Sequence, residues 1–278
     1  MPTKQNSLAR IKNIGLIAQS NASVAAAFVF AFCLAMLIFT FARYEVEITA
    51  PYYHEGLMTQ ADFFLGSANW RMFGMCFAPL SVIFMLYCTK NDYLSPRMVR
   101  FRHIESFWFL QAAKALLAAL LFALAITLAL YFFSLAFAGG DVNFDSPDSV
   151  FFYKAGRRII VPSPSLSYVI FVFFCYSFLT LLLANLIWLL LDAIFSKRWF
   201  AVAASVAIGA INALLPITVP LVFTLANITY PQWVAGNISE SYGSFASFGF
   251  YYLIAAIVAV AVAGALFYRV RGCPRAVY

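Results

Sequence analysis

The sequence predicts an all-α integral membrane protein with six transmembrane helices and both termini in the cytoplasm. Three observations carry this expectation. Of the 278 residues, 64% are apolar and 10% charged, where a soluble domain has about 45–50% and about 25%. Such a chain cannot cover a soluble surface with polar groups. The apolar stretches are continuous and reach the ~20 residues that cross a bilayer as a helix, without the alternation of a barrel strand. Basic residues also segregate to alternate loops. Composition therefore excludes a soluble enzyme, a disordered chain and a secreted disulfide scaffold. Phe alone occurs 31 times, and the mean hydropathy is +0.87. The five cysteines form no C-x-x-C and read as small buried hydrophobes.

The elements follow in order within one transmembrane domain, 1–278. Residues 1–21 carry Lys4, Arg10 and Lys12 and form a cytoplasmic interface segment. That basic flank is the kind a signal peptide has, yet the apolar run after it is too long and lacks an A-x-A site, so a retained helix is expected. The spans lie at about 22–42, 70–88, 108–137, 168–191, 200–215 and 251–268. Pro216 and Pro220 interrupt the fifth apolar run, because proline lacks the N–H a helix interior requires. Trp70, Trp108, Trp199 and Trp233 sit near span ends, as interfacial anchors do.

Charge sets orientation. Of the 18 basic residues, only Arg43, Arg71, Lys154, Arg157 and Arg158 fall on the side opposite the termini. The positive-inside rule places the majority side in the cytoplasm. This accounts for the net charge of +7 without nucleic acid. Acids gather outside, with Glu45, Glu47, Glu55 and Asp62 in loop 1, between the first two spans, and Asp141, Asp145 and Asp148 in loop 3, between the third and fourth. A small β-hairpin around Ala155-Gly156 fits loop 3.

The predicted membrane interior carries almost no charge. Asp192 closes the fourth span near Lys197 and Arg198, where it is expected to stay wet, and Lys114 is expected to snorkel. The absence of a mid-span carboxylate counts against an ion-coupled transporter. Enzyme signatures fail as well. Both histidines, His54 and His103, lie in loops, and neither H-E-x-x-H nor G-x-x-x-x-G-K-[ST] occurs. No catalytic residue, metal site or cofactor is therefore expected on this chain.

The stretch from Lys90 to Lys114 is the most informative. Ser95-Pro96 is a helix start, a hydroxyl cap followed by proline at the first position. Met98, Phe101, Ile104 and Phe107 or Trp108 recur at three- to four-residue spacing, with Arg97, Arg100 and His103 on another face. This is an amphipathic helix on the cytoplasmic surface. By periodicity it is either an interfacial anchor or a docking lever for a soluble partner.

In these residues the sequence resembles the ABC-2 type permeases, the membrane subunits of exporter-class ABC transporters. It is most similar to short bacterial permeases of bacteriocin or antibiotic export and immunity systems. The resemblance rests on the basic, aromatic run Arg97, Arg100, Arg102, Phe107, Trp108 and Lys114 between spans two and three. It rests also on the amphipathic stretch from Leu8 to Leu16, and on the proline-broken segment at 216–247, which resembles an extracytoplasmic re-entrant region. The long outer loops 1 and 3 depart from the shortest family members. The resemblance implies a permease of the bacterial plasma membrane, among lipids, paired with a second permease, identical or related. A separate soluble ATP-binding subunit would bind ATP and Mg. Pro96, Arg97, Arg100, Phe101, Arg102, His103 and Trp108 would couple to that ATPase, and the cargo would be an amphipathic peptide, antibiotic or lipophilic compound.

Ser205, Gly209 and Ala213 recur every four residues on the fifth span and suit close subunit packing, or packing within one subunit. Ala255, Ala259 and Ala263 do the same on the sixth, where packing within the subunit is favoured. Asn185 and Asn212 are mid-span amides that either glue helices together or line a path. Two other function classes remain: a non-enzymatic scaffold or immunity protein that binds a peptide, and a substrate-binding membrane subunit of an uptake system.

Overall fold

The computed structural model describes residues 59–67, 73, 77–89, 104–138, 165–195, 198–214 and 242–271. Their regular structure is helical: α1 (Gln60–Ser67), α2 (Ala78–Thr89), α3 (Ile104–Phe137), α4 (Leu166–Ile194), α5 (Arg198–Leu214) and α6 (Tyr242–Arg271). Three of these helices contain stretches long and apolar enough to cross a membrane: Ser106–Ala136 in α3, all of α4, and Leu253–Val270 in α6. The described residues are thus all-helical and of membrane-spanning character.

α4 is the central element and packs against each of the other five helices. Its sequence explains this position. Every residue from Thr180 to Leu186 is buried, so neighbouring helices enclose the whole circumference of α4 there, which an all-round apolar sequence permits. Ser165 caps its start, the hydroxyl accepting from the Tyr168 N–H at 3.4 Å. Phe195 ends it with extended backbone, its N–H donating to the Leu191 carbonyl at 2.8 Å.

α3 shows the packing logic of lipid. Its buried face carries Ala115, Ala118, Ala119 and Ala123, and its exposed face Leu116, Leu117, Leu120, Leu121 and Leu124. Both faces are apolar, so polarity does not sort them; along this stretch the small residues let helices approach closely, with Phe122 and Ile126 filling the same inward face. α6 behaves differently from expectation. Ala255, Ala259 and Ala263 are exposed, not packed within the subunit, while Leu253, Gly264 and Tyr268 face inward.

The third span begins four residues before the expected 108, so the amphipathic run and the span share one unbroken helix from Ile104. The fourth and fifth spans match 168–191 and 200–215 to within three residues. The apolar stretch Leu253–Val270 lies within two residues of the expected sixth span, 251–268; its helix begins earlier, at Tyr242, inside the expected re-entrant region. Only Ala78–Thr89 of the second span is described as α-helix. The interface segment 1–21, the first span, the hairpin and residues 216–241 lie outside the described residues.

α1 was not expected, and it corrects the placing of Asp62 as a loop acid. Thr59 and Asp62 form a reciprocal cap: Asp62 Oδ2 accepts from the Thr59 N–H at 3.1 Å and its hydroxyl at 2.8 Å. The Asp62 N–H returns to Thr59 Oγ1 at 3.4 Å. The helix packs on α3 and α4, with Phe64 edge-on to Phe173 at 5.5 Å.

Candidate functional site

The end of the helix body that carries segment 90–103 is the candidate site. Here the C-termini of α2, α4 and α6 meet the N-termini of α3 and α5, because a guanidinium and an indole tie them together. α2 ends at Thr89, whose hydroxyl donates back to the Met85 carbonyl at 2.9 Å. The Thr89 carbonyl, left orphaned by the end of the helix, accepts from Arg198 Nη2 at 3.1 Å. Arg198 opens α5, and its Nε lies 3.9 Å from Asp192 Oδ2 near the end of α4. One side chain thus links three helix ends.

Asp192 is fully buried, which corrects the expectation of a solvated carboxylate. A buried ionised carboxylate needs a partner, and Arg198 supplies it. α2 and α4 meet again deeper in the body, where the Ser81 hydroxyl donates to Asn185 Oδ1 at 2.9 Å. Asn185 therefore joins helices, the first of its two expected roles.

The other end of segment 90–103 is held by Trp108. Its indole is fully buried, and its Nε1 donates to the Ala261 carbonyl at 3.0 Å. The ring lies against Tyr268 at 5.6 Å between centroids, and Phe107 meets the same tyrosine at 6.2 Å. The ring's position depends on Gly264: a Cβ there would stand 2.0 Å from Trp108 Cζ2. Trp108 is thus neither an interfacial anchor nor a surface contact for a soluble partner; it pins α3 to α6. Trp199 is the exposed tryptophan of this end, stacked on Phe200 at 3.7 Å. Beside it, Leu86, Arg198, Trp199, Val202 and Val206 line an open apolar groove of about 850 Å³.

Of the residues expected to contact an ATPase, Pro96, Arg97, Arg100, Phe101, Arg102 and His103 lie outside the described residues. Among the expected subunit-packing residues, Ser205 is half-buried with its hydroxyl donating to the Ala201 carbonyl at 2.8 Å. Gly209 and Ala213 lie on the helical backbone of α5, their side chains outside the described set. The residues that sequence reasoning missed here are Thr89, Gly264 and Tyr268. A tryptophan facing a glycine across two helices leaves no local sequence signal. Comparison of the chain with protein-family models, characterised proteins and solved structures returns no match.

Proposed function

We propose that this chain is the permease subunit of an ATP-driven transporter of the ABC-2 type, with six spans and cytoplasmic termini. Its engine is a separate ATP-binding subunit docked at segment 90–103. The observation that carries the reading is the double anchorage of that segment. The described residue before it, Thr89, is held by Arg198 and through it Asp192, and Trp108 after it is held by α6. A push on a segment flanked this way would reach α5 through the guanidinium and α6 through the indole. The chain itself offers no P-loop and no coupling carboxylate at mid-span, so an energy source on another chain fits the sequence.

In this reading Arg97, Arg100 and Arg102 face the ATPase, ATP and Mg bind there, and a second permease completes the pathway in the bacterial plasma membrane. The cargo is an amphipathic peptide, antibiotic or lipophilic compound, for which the Phe-rich spans offer apolar surface. Affinity purification from native membranes in mild detergent tests this. A stoichiometric soluble subunit with a P-loop is expected, and Arg100→Glu with Arg102→Glu should release it while the membrane body stays folded. Recovery of the chain alone, at a level where a partner would be visible, favours the peptide-binding scaffold instead.

A further inference from the structure

Most of the buried side-chain polar atoms left unmet among the described residues lie inside α4. Trp188 Nε1, Asn185 Nδ2 and the hydroxyls of Ser177 and Thr180 have no hydrogen-bond partner among the described residues. All four residues are fully enclosed. Ser177, Thr180 and Trp188, with Ala184 between the last two, follow the three- and four-residue steps that share one helix face. Asn185 lies beside the row, its Oδ1 engaged by Ser81. At 1.5 Å per residue the row extends about 16 Å, roughly half the hydrocarbon thickness of a bilayer.

The hydroxyls give the sharper sign. Helical Ser and Thr in apolar surroundings commonly bond back to a carbonyl of the preceding turn. Thr89, Thr127, Ser134 and Ser205 do so at 2.8–2.9 Å. Ser177 and Thr180 do not, although both are fully buried. An unmet polar group is costly in a dry interior, and those that persist are commonly met by ordered water. Trp188 Nε1 and Asn185 Nδ2 can only donate, so their partner must present an acceptor. The only ionised residue of α4 is Asp192, one turn beyond Trp188, so the row calls for an uncharged one.

We propose that the interior row Ser177, Thr180, Asn185 and Trp188 is a binding site for water. A short file of buried molecules accepts from the indole and the amide and bridges onward to the two hydroxyls. This does not rest on the transporter reading, and it places a hydrated strip inside the most enclosed helix of the body.

Radiolytic hydroxyl labelling of the full chain in phosphatidylcholine nanodiscs, read by mass spectrometry, tests it. Radicals formed from a bound water react where that water sits. Trp108 is the internal reference, equally enclosed but with its Nε1 satisfied by the Ala261 carbonyl. The expected result is oxidation of Trp188 several-fold faster than Trp108. Equal protection of the two tryptophans overturns the proposal, and this comparison needs no variant to fold. The variant Ser177→Ala with Thr180→Val adds a second readout. If the hydroxyls hold water, it lowers the Tm and slows Trp188 labelling; if the row is dry, removing unmet hydroxyls raises the Tm, which also overturns the proposal.

Discussion

The indole of Trp108 donates to the carbonyl of Ala261, a residue 153 positions further along the chain. That bond, with the ring seated where Gly264 has no side chain, fixes the start of α3 to α6.

Gly264→Ala should be destabilising, because its methyl group would overlap the Trp108 ring. Overpacking of this kind costs about 1–3 kcal/mol, seen as a lower Tm in detergent. Adding Trp108→Ala to Gly264→Ala should cost less than the sum of the two single changes, since the clash then has no partner. Strict additivity would show that the two residues do not meet.

Arg198→Ala should loosen three helix ends together. It removes the guanidinium beside the buried Asp192 and the donor to the Thr89 carbonyl. Removing one partner of a buried pair costs about 3–5 kcal/mol; the 3.9 Å separation and the part exposure of Arg198 place this case at the lower end. Asp192→Asn in the Arg198→Ala background should recover part of the loss, because a neutral amide loses less than a carboxylate when the guanidinium is gone. Thermal unfolding of the three variants measures both effects.

Ser81→Ala should cost about 1–2 kcal/mol, the penalty for a buried acceptor left unmet, here Asn185 Oδ1. A double-mutant cycle with Asn185→Leu isolates the pair, and a coupling near zero would show that α2 and α4 are not joined there.

Much of this fold was legible because long apolar runs with short polar breaks admit few solutions in lipid. α3, α4 and α5 fall within a few residues of their expected bounds, and the mid-span amide Asn185 does join helices. The inward faces were not legible. Between Ala115 and Leu124 of α3 the alanines face in and the leucines face out, a difference that hydrophobic periodicity does not register because both are apolar. In α6 the alanines Ala255, Ala259 and Ala263 are instead exposed, so small residues at four-residue spacing do not by themselves identify an inward face. Trp108 and Asp192 were misplaced because each is buried by residues that arrive from elsewhere in the chain, Gly264 and Tyr268 for one and Arg198 for the other. α1 could have been found from Thr59-x-x-Asp62, a capping pattern that precedes Phe63 and Phe64.

The proposed orientation, with both termini in the cytoplasm, is open to direct labelling. Cysteines introduced at Ser95 and Arg275 should resist a membrane-impermeant maleimide in intact cells and react after lysis. A cysteine at Asp145 should react in both. Labelling of Ser95→Cys in intact cells would invert the topology and remove the cytoplasmic lever.

The central claim is that segment 90–103 meets a soluble ATPase. A photo-crosslinking amino acid in place of Arg100, activated in living cells, tests it most directly. The account predicts an adduct with a P-loop protein, absent when the same group replaces Asp145, between the third and fourth proposed spans. Adducts from position 100 with lipid alone, in cells where the chain is functional, would contradict it.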